Sequence, residues 1–268
     1  MTEPGADAGV TAAVTGSVLT LTLDRPDKGN ALRHQDCVAL IDQIEAVDGG
    51  GGIRAILIRA HGRNFCLGAD LVSANATDGK PRTGHLSRAL AAGAHRLVSA
   101  VWNCPVPTVS VVHGKALGLG LHLAVAADFT LAADDASFAE PFCKRGFSVD
   151  SGGSFLLPTL IGIRRARQML LRGRPVAAPT AAEWGLIDEV VAPDGLDAAG
   201  VDLAAELAAG PTFSLGHTKA LINDPITGGL DAALVQEAKS VEATLRSTDF
   251  KEGLRAFAER REPAFTGN

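Results

Sequence analysis

The stretch His113-Gly-Lys-Ala-Leu-Gly-Leu-Gly-Leu-His122 decides how the rest of the chain is read. It follows Val106-Pro-Thr-Val-Ser-Val-Val112, an apolar run rich in β-branched residues. A buried strand therefore ends in a glycine-rich turn, and a helix is predicted from about Gly118. The first N–H groups of a helix have no partner inside it, and the helix dipole favours negative charge there. No Gly-Lys-Ser follows, so the turn is no phosphate loop. Leu123 stands where a dinucleotide fingerprint needs its third glycine. The turn faces negative charge of another kind, and His122 is a candidate for chemistry beside it.

Outward from this stretch, β and α signals alternate. Val10–Val14 and Val18–Leu23 flank Gly16-Ser17 and read as a β-hairpin. Leu32–Val47 carries Val38, Ile41, Ile44 and Val47 at helical spacing, and the glycines at 49–52 end it. Strands are predicted over Ile53–Arg59, Pro107–Val112, Phe129–Ala132 and Ser137–Ala139, with a helix over Leu86–Trp102. Ser73–His85 is polar with Gly and Pro and reads as a mobile loop. Alternating strands and helices argue for α/β with parallel pairing. After about Leu196 only helical patterns remain. Leu230, Leu234, Ala238, Val241 and Leu245 make one apolar stripe that needs a partner surface, its own core or a neighbouring subunit. Asp249 with Glu252 reads as a capping box for the last helix.

Composition narrows the function. The chain has 268 residues, 46% hydrophobic and 21% charged, enough for one large core with an appendage. Net charge is -5 with no basic tract, which argues against nucleic acid. No apolar run reaches a membrane-spanning length. Four cysteines at 37, 66, 104 and 143 suit neither zinc nor a disulfide framework, so a reducing, cytoplasmic setting is expected and no metal. The N-terminus lacks a basic region followed by an apolar one, so no signal peptide is expected.

Three further motifs accompany the glycine turn. Asp24-Arg-Pro-Asp-Lys-Gly-Asn-Ala-Leu32 puts Arg25 and Lys28 just before a helix, which suits phosphate groups or a solvated turn. Gly62-Arg-Asn-Phe-Cys-Leu-Gly-Ala-Asp-Leu71 contains Gly68, whose freedom permits close backbone approach. Phe138–Ser154 contains Asp150 ahead of Ser151-Gly-Gly153 and an apolar helix, where an N-cap is the plain alternative to chemistry.

In this order, LDRP…NAL, F-C-x-G-A-D-L, HG-x-A-x-G-x-G, F-x-x-P and G-G-x-x-x-L-P-x-x-I-G, the motifs resemble the crotonase superfamily of enoyl-CoA hydratases and isomerases, from about Val18 to Phe265. The resemblance implies a ββα spiral core over 1–195 and a C-terminal helical, trimerising region over 196–268. It implies an acyl-CoA thioester as substrate, CoA being part of it and no separate cofactor being needed. It implies a homotrimer or hexamer. Backbone N–H groups of Ala69 and Leu119 would hold the thioester oxygen. Arg25, Lys28, Ala31 and the Ala69–Asp70–Leu71 turn would border CoA.

The departure lies in the acid–base pair. By the same resemblance, hydratase glutamates would stand at His122 and Phe142, and neither is present. Glu140, on the other side of Pro141, is a weak substitute. Some isomerases of the superfamily carry an aspartate where Asp150 stands, and one carboxylate suffices to shift a double bond. Isomerisation through Asp150 is therefore expected. A hydratase with atypical residues and a non-catalytic acyl-CoA binder remain alternatives. His122 has three readings: a second acid/base, a hydrogen-bond partner of water or Asp150, or a polar residue lining the pocket.

Overall fold

The computed structural model describes residues 9–49, 52–70, 84–224 and 229–268, with side chains of the last segment from residue 234. Leu71 and most of the predicted loop, residues 73–83, lie outside the described residues.

The hairpin forms as expected. β1 (Val10–Thr15) pairs antiparallel with β2 (Val18–Leu23). β2, β3 (Ala55–Ala60), β4 (Thr108–Val112), β6 (Phe129–Ala133) and β9 (Glu189–Val191) then pair in parallel, giving one sheet of order β1-β2-β3-β4-β6-β9. β5 (Lys115–Leu117), β7 (Ser137–Ala139) and β8 (Val176–Ala177) form a smaller sheet. It stands beyond the ends of β4 and β6, so the glycine turn leaves β5 at the junction of the two sheets.

The period of two sorts the large sheet into two faces. Ile56, Ile58, Val112 and Ala132 point into one core, with Leu40, Ile41 and Ile44 of α1 (His34–Glu45). That core also takes in Leu97 and Val101 of α3 (Ala94–Trp102), after α2 (His85–Ala92). α4 (Leu119–Val125), α5 (Gly153–Arg172) and α6 (Ala178–Trp184) complete the same face. Leu57, Val109, Val111, Leu131 and Ala133 point the other way, against Leu196 and Ala204 of α7 (Leu196–Ala209). The first helix of the C-terminal helical region thus covers the sheet rather than standing apart from it. Gly200 makes this possible, since a Cβ there would overlap Val111.

α8 (Thr212–Asn223), α9 (Gly229–Thr244) and α10 (Thr248–Glu259) follow. Lys219 on α8 reaches back to Asp128 at 2.7 Å, and Arg54 on the core reaches the Thr212 hydroxyl and the Gly210 and Phe265 carbonyls. Among the described residues of the apolar stripe, Leu234, Val241 and Leu245 are 51%, 51% and 44% exposed, while the Leu230 side chain lies outside the described residues. Among the described residues, no helix is long and apolar enough to cross a membrane.

Two local expectations are corrected. The single helix over Leu86–Trp102 is two, broken at Gly93 (φ -117°, ψ -99°), where a Cβ would lie 2.7 Å from His34 Nδ1. The last helix is capped by Ser247, whose hydroxyl accepts the Phe250 N–H at 3.0 Å. Asp249 instead accepts the Thr266 and Gly267 N–H groups, and Glu252 pairs with Arg261, so both carboxylates fasten the C-terminal strand of chain.

Candidate active site

Three turns meet at the N-terminus of α4. The Gly68 turn and the glycine turn are joined by a short bridge of Cys66 to Ala116, with the Leu117 N–H donating to the Cys66 carbonyl at 2.9 Å. Their approach is closer than side chains allow. A Cβ on Gly68 (φ +97°) would stand 2.8 Å from the Leu117 carbonyl oxygen and 3.8 Å from the Leu119 nitrogen. A Cβ on Gly120 would overlap the Cys66 carbonyl oxygen and stand 2.6 Å from the Cys66 Cβ. The glycines are thus demanded by backbone packing on backbone.

This contact places the Ala69 and Leu119 peptide groups side by side. Leu119 opens α4, so its N–H has no partner within the helix. Among the described residues, neither that N–H nor the N–H of Ala69 donates to a protein acceptor. On the chain side of each, the neighbouring donors are engaged: Gly118 N–H donates to Ala139, and Asp70 N–H to Leu32. Two adjacent unused donors are what a developing negative oxygen needs.

The Asp24–Leu32 turn supports the Gly68 turn from behind. Asn30, in left-handed conformation (φ 54°), donates from Nδ2 to the His61 and Asn64 carbonyls at 2.8 Å and accepts the Arg25 N–H through Oδ1. Arg25 is turned inward. Its guanidinium donates to Asp70 Oδ2 through both terminal nitrogens at 3.2 Å, to the Ala31 carbonyl at 2.7 Å, and approaches Asp36 at 3.5 Å. Arg33 pairs with the same Asp36 at 2.8 Å. Arg25 is thus engaged inside this cluster, with its side chain only 16% exposed. Lys28 is different: 62% exposed and 3.9 Å from the equally open Asp27, it keeps its cation in solvent. The sequence reading grouped the two; the fold separates them. Asn30, the brace of this corner, went without a role in it although it sits inside the motif.

Asp150 does not cap the following helix. α5 has Gly152 at its N-cap, with no side-chain cap bond. The turn instead runs through Ser151 (φ 52°) and Gly152 (φ 90°), two successive left-handed residues, and closes with the Gly153 N–H on the Asp150 carbonyl at 3.2 Å. Asp150 keeps its carboxylate half-buried, with Oδ1 accepting the Ser151 hydroxyl at 2.6 Å.

His122 lies one helical turn beyond the Leu119 amide and is fully buried, so it does not line an open pocket wall. Phe142 stacks on its ring, centroids 6.0 Å apart and planes 10° apart. Gly153 abuts its edge: a Cβ there would overlap Nε2 and stand 2.7 Å from Cε1. Glu140 Oε1 is 2.8 Å from Nε2, both side chains being fully buried. The ring N–H does not point along that line, so the contact is a close approach without an aligned hydrogen bond. Glu140 thus does not stand in for the missing glutamate at an open surface; it packs behind the imidazole.

The buried cysteines Cys66 and Cys37 are inert. Burial pushes the Cys66 and Cys37 thiols up to about 12, and Cys66 donates to the Asn30 carbonyl at 3.1 Å. Among the described residues, no cluster of three His, Cys, Asp or Glu side chains could hold a metal.

Known proteins carry the same architecture. The family model for enoyl-CoA hydratase/isomerase matches residues 13–268. The chain is 36% identical to the 1,2-epoxyphenylacetyl-CoA isomerase of Escherichia coli (strain K12) over 95% of its own length and 97% of that protein. It is 31% identical to the trans-2-decenoyl-acyl-carrier-protein isomerase of Streptococcus mutans, over 95% and 96%. The crystal structure of an enoyl-CoA hydratase from Bacillus anthracis superposes with a TM-score of 0.90 at 27% identity, covering 97% of this chain and 100% of that one. Glycine-packed turns, paired amides and matches spanning almost the whole sequence converge: the chain is an enzyme of the enoyl-CoA hydratase/isomerase family, within the crotonase superfamily.

Proposed function

We propose that this enzyme shifts a double bond in an acyl-CoA thioester, with Asp150 as the single acid/base. The observation that carries the reading is the pair of unused amides at Ala69 and Leu119, together with a turn that packs on α4 through Gly153 and His122 and leaves the Asp150 carboxylate uncommitted to a helix cap. The two N–H groups draw charge onto the thioester oxygen and so acidify the carbon next to the carbonyl, or the one conjugated with it. Asp150 takes that proton, the electron pair moves into the enolate, and the same carboxyl returns the proton at another carbon. No water enters the product. The relatives from E. coli and S. mutans are named isomerases, and another of 35% identity, from Rhodobacter capsulatus, is named a probable enoyl-CoA hydratase, so the preference for isomerisation rests on the site and not on the names.

CoA enters as part of the substrate, and the reading calls for no separate cofactor. Its polar end would run past Lys28, Ala31, Ala69 and Asp70, with Arg25 holding that wall together. We also place the protein in a reducing, cytoplasmic compartment, compatible with four free thiols, and as a homotrimer or hexamer through the uncovered faces of α9 and α10.

The test is a panel of 3-enoyl-, dienoyl- and epoxyacyl-CoA esters with mass analysis of the product. Isomerisation leaves the mass unchanged; a product heavier by one water assigns a hydratase. Asp150→Asn should lower turnover by about 10²- to 10⁴-fold while ester binding persists. Tight binding with no turnover by the wild type on the whole panel would remove the catalytic reading.

A further inference from the structure

The mechanism leaves one buried ionisable pair unused, His122 with Glu140. We propose that these two side chains act as one unit that positions the turn presenting Asp150. The inference rests on the reading of Asp150 as the acid/base.

A fully buried carboxylate is costly unless its charge is matched or shared. The His122 ring is the partner at ion-pair distance, 2.8 Å from Glu140 Oε1. Yet both ring nitrogens and both carboxylate oxygens lack an aligned hydrogen bond in the protein. Buried polar atoms left in this condition are few in native proteins, and each calls for a physical reason. Stability alone would not keep them, because a buried pair replaced by apolar side chains of similar size is commonly neutral or stabilising.

The ring's contacts show what it holds. Its Nε2 edge meets Gly153 so closely that no Cβ fits there. Gly153 N–H closes the turn onto the Asp150 carbonyl. Within that turn Ser151 is left-handed at φ 52°, a strained state for a residue with a Cβ, which persists only where its surroundings enforce it. Ser151 in turn supplies the hydrogen bond to Asp150 Oδ1. On the other side, Phe142 stacks on the imidazole and also faces Gly118, where a Cβ would stand 3.3 Å from its Cζ. Glu140, His122 and Phe142 thus form a wedge. One side sets the Asp150 turn, and the other borders the backbone that precedes the Leu119 amide. The wedge fixes the distance between base and oxyanion donors without touching either.

The deciding experiment is amide hydrogen exchange of the segment Phe147–Leu156, read beside the melting temperature, in the double variant His122→Leu/Glu140→Leu. The pair is removed together, so the fold should survive. The proposal predicts at least several-fold faster exchange in that segment at a melting temperature close to wild type. It also predicts kcat about 10²-fold lower with KM unchanged on whichever thioester the wild type converts. Wild-type exchange across the segment would overturn it. If the double variant does not fold, Glu140→Gln, which keeps the size and removes the charge, is read the same way: faster exchange supports the role, and wild-type exchange sinks it. Asp150→Asn separates the two readings. Full activity in that variant would remove Asp150 as base, whereas the exchange result is independent of which residue does the chemistry.

Discussion

At Gly120 the site is held by the absence of a single carbon atom. The Cys66 carbonyl occupies the space a Cβ would need. Gly120→Ala should cost about 1–3 kcal/mol in stability by pushing the two turns apart. Because those turns carry the Ala69 and Leu119 amides, kcat should fall with it; denaturant unfolding and steady-state kinetics on the same preparation check both. Thiol chemistry is equally local. Cys37, Cys66 and Cys104 are buried and Cys143 is exposed, so the native protein should show one fast-reacting thiol and the unfolded protein four. A timed reaction with a chromogenic disulfide at about pH 8 tests this; a second fast thiol would contradict the burial described here. The resemblance pointed to Asp150, Ala69 and Leu119 because the motifs that carry it are local in sequence. It gave no signal that His122 and Glu140 would touch, because the 2.8 Å approach depends on β7 delivering Glu140 against α4.

At the scale of elements, hydrophobic period located most of what forms. The hairpin, β3, β4, β6, β7 and α1 lie within a residue or two of expectation, whereas β5, β8 and β9, only two or three residues long, carry too little pattern to be read alone. The breaks were less legible. Gly93 divides a pattern that is continuously helical in sequence, because His34 at the start of α1 presses on it. The start of α1 also carries a pH dependence. Burial would raise the Asp36 pKa, but the Arg33 side chain and the N–H groups of Arg33 and Gly9 outweigh it and hold the pKa below 3.8. A lowered carboxylate stabilises the fold fully above its unfolded value and loses that contribution as pH falls through the folded one. Urea midpoints should therefore decline below about pH 4 in the wild type. Asp36→Asn should be less stable at neutral pH, by about 3 kcal/mol, and show a flatter acid decline; an unchanged acid slope would mean other carboxylates dominate.

Across the whole molecule, α7 is fastened to the sheet by apolar packing, and α8 by a few well-buried polar contacts. Lys219 joins Asp128, Thr108 and the Val101 and Val106 carbonyls at distances from 2.7 to 3.5 Å. Removing the cation strands a partly buried carboxylate, so Lys219→Met should lower stability by about 3 kcal/mol, and Lys219→Met/Asp128→Leu should recover part of it. Calorimetry of the two variants measures the difference. The outer faces of α9 and α10 leave Leu234, Val235, Val241 and Phe257 open. We expect light scattering to show a trimer or a hexamer, and charged substitutions at Leu234 and Val241 to shift it toward monomer. A wild-type monomer at micromolar concentration would count against that assembly.

The sequence by itself determined the parallel α/β core, the glycine positions and the order of motifs that marks the family. Those properties follow from short-range rules: side-chain period, turn chemistry and the freedom of a residue without a Cβ. Only the tertiary structure decided that Arg25 is engaged between two aspartates while Lys28 is not. It also decided that Asp150 leaves the helix uncapped, and that His122 is sealed beneath Phe142 against Glu140. Each of these outcomes depends on segments distant in sequence meeting at one corner, where burial and the partners available fix what a charge or an imidazole can do.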